Sequence, residues 1–189
     1  MKIILEKVES QLNDSLNRIN FMFMNEELTI ECIKSLKEFS FLGESFGPFE
    51  KGNKYRLKLF SAIPFIENNI MKIALNEKCD NVDVQRFAID ERDDQKLIFR
   101  KNNYFLNKIK KFRIFLEKDI KDKIKPPLDL DRYNSYMSNI VDIRLSKLLR
   151  LAKAELSLDD ERRLTSSEII LFKHLYKFIK VWRKFYLTH

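Results

Sequence analysis

The chain has 189 residues, 44% of them hydrophobic and 16 of them phenylalanine, which is enough for a sizeable core in one large domain or two small ones. A charged fraction of 34%, a net charge of +8 and the lack of any run of 18 apolar residues argue against a membrane-spanning protein. Cys32 and Cys79 are too few and too far apart for a disulfide framework or a cysteine zinc site, so the expected setting is a reducing, cytoplasmic one (nuclear in a eukaryote), with both thiols in or near the core.

At the start, Met1-Lys2-Ile3-Ile4-Leu5-Glu6 meets charge too early for the apolar region of a signal peptide. Residues 1–25 read as a helical lead-in or extension. Leu28–Ile33 alternates apolar and polar residues as a half-buried strand does, and Phe39–Leu42 has the same character. Gly43, Gly47 and Gly52, the chain's three glycines, crowd into ten residues with Pro48 and predict one irregular turn region. Beyond it, Tyr55–Leu59 alternates again, a short helical piece covers Phe60–Glu67, and Ile70–Leu75 is a further strand. A small β-rich domain is therefore expected over 26–75.

From Asn81 the period becomes helical. Phe105, Ile109, Phe112, Leu116 and Ile120 form one stripe of a helix that Pro126-Pro127 is expected to stop. Tyr133, Met137, Val141, Leu145, Leu148 and Ala152 form the stripe of the next helix, and Asp159-Asp160-Glu161 reads as an acidic turn after it. Thr165-Ser166-Ser167-Glu168 is a capping box flanked by Leu164 and Ile169 as a hydrophobic staple. The last helix then carries Leu171, Phe172, Leu175, Phe178, Ile179, Trp182, Phe185 and Tyr186, with Lys177, Lys180, Arg183 and Lys184 near its end. The fold class is α+β, mostly α, with a C-terminal helical bundle domain over 82–189 following the β-rich one.

No catalytic constellation emerges. With His174 inside a helix and His189 terminal there is no paired-histidine metal site, and a serine or cysteine nucleophile would lack its usual base. Gly47–Asn53 lacks the Gly-Lys-Ser/Thr ending of a phosphate loop. Asp90, Asp93 and Asp94 could hold a divalent cation in a small metal enzyme, though charge runs are more often solvated. Residues 96–125 hold 11 Lys/Arg against 3 Asp/Glu, a balance of +8, whereas residues 1–75 balance at 10 against 10. Within that basic segment Arg100, Lys101, Lys108, Lys110, Lys111 and Arg113 interleave with aromatics and could contact nucleic acid or an acidic partner. The expectation is a scaffold without cofactors rather than an enzyme.

Three stretches resemble subunits of the GINS complex. Phe41-Leu42-Gly43-Glu44-Ser45-Phe46-Gly47-Pro48-Phe49-Glu50-Lys51-Gly52, followed by Leu57–Ile73, is similar to that family's small β domain. Asp142-Ile143-Arg144-Leu145-Ser146-Lys147-Leu148 resembles the Asp-x-Arg-x-x-Lys-Leu stretch of its penultimate helix, and Leu164–Ile169 the start of its last. The order, β domain before helical domain, matches one of the two subunit classes. The resemblance covers about residues 26–189 and implies a non-enzymatic role in DNA replication. A GINS assembly joins the MCM replicative helicase to a RecJ-like companion. The archaeal form, two copies each of two subunit classes, is the expected one, so the implied partners are a second GINS-class subunit in a 2:2 heterotetramer, MCM and a RecJ-like protein, with at most weak DNA contact. The stripe Leu171–Tyr186 is then the expected partner interface. The rival reading is a helical nucleic-acid-binding adaptor, such as a small subunit of a defence complex, using the basic segment.

Overall fold

A computed structural model describes residues 2–41 and 43–187 of the chain. The chain is α+β and mostly helical, with a small sheet region in its N-terminal half followed by helices. Two compact units are present: Phe21–Lys78, and Met1–Asn20 together with Cys79–His189. Helix α1 (Lys2–Met24) runs through the first boundary and, among its described side chains, buries Ile19 and Phe23, one turn apart on one face.

In the sheet-bearing unit, β1 (Glu27–Cys32) is the central strand. Its alternation puts Leu28, Ile30 and Cys32 on a buried face. The later strands β4 (Lys54–Lys58) and β5 (Met71–Ile73) pair antiparallel to its two sides, with Thr29 opposite Arg56 and Glu31 opposite Lys72. Helix α2 (Leu59–Glu67) follows β4 without a loop and buries Leu59, Ala62 and Ile66, a spacing of three and four that makes one apolar face. The turn region contains a second, unforeseen sheet: β2 (Phe39–Phe41) and β3 (Glu44–Phe46) form a hairpin. Leu42, expected at the end of the strand Phe39–Leu42, lies outside the described residues. Gly47, at φ 93°, is the glycine that geometry demands, because a Cβ there would sit 3.3 Å from both the Glu38 Cα and the Phe49 nitrogen. Behind it Phe49 is buried, edge-on to Tyr55 and to Phe65.

The helical unit begins with α3 (Asn81–Asp93), opened by a capping box in which Asp80 accepts from the Val82 and Asp83 amides and Asp83 accepts from the Asp80 amide. Helix α4 (Phe105–Lys121) buries Phe105, Ile109, Phe112 and Leu116, the stripe read from the sequence. It ends before the prolines are reached. Lys123 takes a left-handed φ of 58°, its amide donates to the Ile120 carbonyl, and the Ile124 amide donates to the Asp119 carbonyl. That is a Schellman turn, and it ends the helix by local hydrogen bonding rather than by proline sterics. Pro127 instead precedes α5 (Leu128–Leu151), where its missing N–H is not needed. The acidic turn is in fact a short helix, α6 (Leu158–Arg163). Ser157 caps it, and acidic residues fill the first turn that the helix dipole favours for them. Helix α7 (Ser166–Leu187) closes the fold.

The buried face of α5 differs from the expected stripe. Tyr133, Ile140, Arg144, Lys147 and Leu148 are buried, whereas Val141 and Leu145 are exposed. At about 100° per residue, each four-residue step overshoots a turn by about 40°, so a line of strict fours leaves the core within three steps. The true line alternates fours and threes and carries two cations inward. On this face the buried Tyr133 hydroxyl donates to the Ile109 carbonyl at 2.8 Å, tying α5 to α4. Burial raises the Tyr133 phenol well above its ordinary value and pushes the nearby Cys79 thiol up to about 11. Tyr133→Phe removes the bond but keeps the ring, and leaves the Ile109 carbonyl without that donor. A loss of about 1 kcal/mol in unfolding free energy is expected, measured by urea denaturation followed by circular dichroism.

Candidate partner interface

The candidate site is the far end of α7, and what aims it is a buried ionic cluster at the near end. Arg144 of α5 donates from Nε to Glu168 Oε1 at 2.6 Å and from Nη2 to Glu168 Oε2 at 2.7 Å, a two-pronged clamp on the first turn of α7. Its Nη1 donates to Glu91 Oε2 of α3 at 2.9 Å and to the Ile98 carbonyl at 3.2 Å, and Nη2 reaches the Arg163 carbonyl at 3.1 Å. All five guanidinium N–H groups therefore have acceptors. Lys147, one turn on, places its ammonium on Glu91 Oε1 at 2.8 Å, the Glu91 carbonyl at 2.6 Å and the Lys96 carbonyl at 2.8 Å.

Glu91, fully buried, also accepts from the Ile98 amide at 3.2 Å. Glu168 accepts at Oε2 from both the amide and the hydroxyl of Thr165 at 2.8 Å. The Glu half of the capping box foreseen at Thr165 is thus present, and the same carboxylate serves as the ion-pair partner of Arg144. Burial alone would lower the Arg144 pKa, but hydrogen bonds and charge from Glu168, with Glu91 behind them, outweigh it and hold the guanidinium above its ordinary value.

Past this anchor α7 packs on a core of Leu97, Leu148, Ala152, Leu164 and Phe172. Leu171, Leu175, Tyr176 and Ile179 lie partly buried against it, as does the staple residue Ile169. The eight-residue stripe expected as a partner surface therefore divides. Phe172 is core, and Leu171, Leu175 and Ile179 mostly cover the chain's own interior. Phe178, Trp182, Phe185 and Tyr186 stay exposed at 55%, 65%, 77% and 65%. Val181 and Leu187, which the stripe did not include, are exposed with them. Every residue from 180 to 187 is exposed, so the helix runs roughly 12 Å beyond its last packed turn. Trp182 and Phe185 each lie 5.0 Å from the Tyr186 ring, giving one aromatic cluster.

The basic segment does not form a single exposed surface. Arg100 is folded inward: its guanidinium lies 4.8 Å from the Phe87 ring and 4.9 Å from the Phe105 ring, and it donates to the Phe87 carbonyl. Burial is the main influence lowering its pKa, opposed by Glu91 and Asp90. Lys108 sits half-buried over the Phe112 ring at 5.2 Å, and Phe112 is core. Arg113 is exposed but pairs with Glu117 at 2.9 Å. Lys101 and Lys110 are exposed and Lys111 is intermediate.

The acidic run lines an open groove with Gln95, Lys96 and Ile98. Asp93 pairs with Arg92, Asp94 accepts from the Lys96 amide, and Asp90 lies 3.6 Å from Arg100. Among the described residues no three His, Cys, Asp or Glu side chains converge as a metal would require. His174 is half-buried on α7, and His189 lies outside the described residues. No described helix is long and apolar enough to cross a membrane.

No protein-family model matches the chain, and no curated protein matches it. The functional reading rests on the residues themselves. Glu91→Gln removes one of the two carboxylates that neutralise Arg144 and Lys147, and should cost about 3–5 kcal/mol of stability. Asp93→Asn, on an exposed pair, should stay within about 0.5 kcal/mol. Chemical denaturation of the two variants side by side checks this, and equal midpoints would contradict it.

Proposed function

We propose that this protein is a non-enzymatic structural subunit of a GINS-like DNA replication complex, of the class with the small β-rich domain ahead of the helical bundle domain. In that role it helps join and activate the MCM helicase together with a second GINS-class subunit and a RecJ-like companion. The single observation that carries the scaffold part of the reading is the exposed aromatic end of α7. Large apolar residues gathered on one projecting helix mark a protein-binding surface far more often than scattered exposed ones do. The replication assignment itself comes from the resemblance. It is supported by the order of elements, sheet region first and helices after, and by the work that Arg144 and Lys147 of the Asp-x-Arg-x-x-Lys-Leu stretch do as paired core cations.

The nucleic-acid adaptor has weaker support, because Arg100 is inward and Arg113 is already paired. Weak, salt-sensitive DNA contact through Lys101 and Lys110 remains compatible with the scaffold role. The test is co-purification from the native cell: a sister GINS-class chain or MCM should accompany this one, and a defence-complex RNA in their place would overturn the reading. With the sister chain in hand, Trp182→Ala should weaken assembly by about 2 kcal/mol or more while the fold is kept, since Trp182 is exposed in the isolated chain. Light scattering of the mixture reads this directly, and an unchanged assembly mass at all concentrations would refute it.

A further inference from the structure

Towards its end, helix α7 separates its side chains by bearing. At about 100° per residue, Phe178, Phe185 and Tyr186 fall within roughly 60° of Trp182, whereas Lys177, Lys180 and Lys184 lie roughly 140–160° away, on the opposite side. Lys180 is seated over the Tyr176 ring at 5.4 Å, and Arg183 turns off the aromatic face toward the Lys153 carbonyl. The exposed aromatic face therefore carries no charged side chain. A second face of the same kind can meet it without setting cation against cation.

The size of the face decides whether such a pairing is large enough. At roughly 150–250 Å² per aromatic and exposures of 55–77%, Phe178, Trp182, Phe185 and Tyr186 leave on the order of 500 Å² in water. That is at the upper end of what a monomer shows in one patch. Two such faces laid together remove about 1,000 Å² from these rings alone, which reaches the area a specific interface needs.

The order of the side chains fits a copy of the same helix. Phe178 and Ile179 stand four and three positions before Trp182, and Phe185 and Tyr186 three and four positions after it. Reversing the direction of the helix leaves that pattern unchanged. In an antiparallel pair about a two-fold axis at Trp182, the two tryptophans meet at the centre. Phe178 comes opposite Phe185 of the other copy, and Ile179 opposite its Tyr186. Each large side chain of the face then has an apolar mate, the lysines of both copies point away from the seam, and the helix dipoles oppose.

Resting on the reading of α7 as an interface, we propose that this face takes a second copy of α7, giving a two-fold antiparallel dimer of the chain. In a 2:2 assembly the sister chains then bind elsewhere, one to each copy. A lipid surface fits less well, because burying the aromatics would turn the lysines away from anionic headgroups.

Trp182 is the chain's only tryptophan and lies on the seam, so its emission reports pairing. The full chain alone, diluted and followed by light scattering and by emission, should pass from dimer to monomer at micromolar concentrations, with a red shift. Trp182→Ala, read by scattering, and Phe185→Ser should each raise the dimer dissociation constant at least about thirtyfold. Lys180→Gln/Lys184→Gln and added salt should change it by less than about twofold. Phe178→Cys and Phe185→Cys chains, mixed, should form a disulfide with each other in preference to their own kind, since Cys32 and Cys79 are buried. Every substituted residue is exposed, so unchanged circular dichroism should accompany each variant.

Four results would each overturn the proposal: a chain monomeric at every concentration, a dimer indifferent to Trp182 and Phe185, a dimer loosened as much by the lysine changes, or an emission shift that needs phosphatidylserine vesicles. Failure here is separable from failure of the scaffold reading. With the sister chain present, Trp182→Ala should halve the assembly from 2:2 to 1:1. A mixture that responds to Trp182 while this chain alone stays monomeric gives the face to the sister chain and sinks only the second copy. Indifference of the mixture to Trp182 sinks the interface itself.

Discussion

The helical unit depends on the pairing of Arg144 and Lys147 with Glu91 and Glu168. Between α3 and α4 the chain crosses residues 94–104 with no regular structure, and Leu97 in that stretch is buried. Backbone amides and carbonyls in such a place need partners, and no strand or helix supplies them. The cluster and its neighbours do so with side chains. Lys147 takes the Lys96 carbonyl, Arg163 the Leu97 carbonyl, Arg144 the Ile98 carbonyl and Glu91 the Ile98 amide. Buried ion pairs add little net stability over a well-packed apolar core, yet each is expensive to break singly. Their effect here is to permit one arrangement of loop and three helices, since any shift strands a charge.

That constraint reaches the surface through Glu168. The carboxylate holds the Thr165 amide at the start of α7 and is itself gripped by both prongs of Arg144, so the first turn of the helix is fixed in position and direction. Phe172, in the core next to Leu148 and Ala152, fixes its rotation. Beyond Ile179 the helix continues with every residue to 187 exposed, and Arg183 Nη1 lies 3.5 Å from the Lys153 carbonyl. The exposed cluster of Trp182, Phe185 and Tyr186 is therefore a property of the anchor 15 or so residues upstream as much as of its own side chains.

Much of this was legible in the sequence where a single physical rule governs. Alternation located β1 and β4, and the Phe105-to-Leu116 stripe of α4 is buried as its spacing requires. The reading failed where two rules compete. In α5 a count of apolar residues alone followed Val141 and Leu145 out of the core, because the residues that turn inward at the right angle are charged. Nothing in hydrophobic periodicity can nominate a lysine as core; only its partners can, and Glu91 lies 56 residues away. Of the β2–β3 hairpin only the first strand was read, because Glu44–Phe46 is too short to show a period, and the end of α4 was missed because Lys123 occupies a left-handed position usually given to glycine.

The same competition explains why net charge misleads when it is summed along a segment. Residues 96–125 are the most basic stretch of the chain, yet Arg100 lies between two phenylalanine rings, Lys108 over a third, Arg113 against Glu117 and Lys118 against Asp122. Much of that charge is engaged within the fold. The end of α7 carries fewer cations with no acid among them in sequence, and there too Lys180 lies over the Tyr176 ring and Arg183 reaches the Lys153 carbonyl. A partner is selected by the field at the surface it covers, not by the composition of the segment that carries the most lysines. Net charge summed over residues 96–125 therefore overstates the field that this segment presents to a partner.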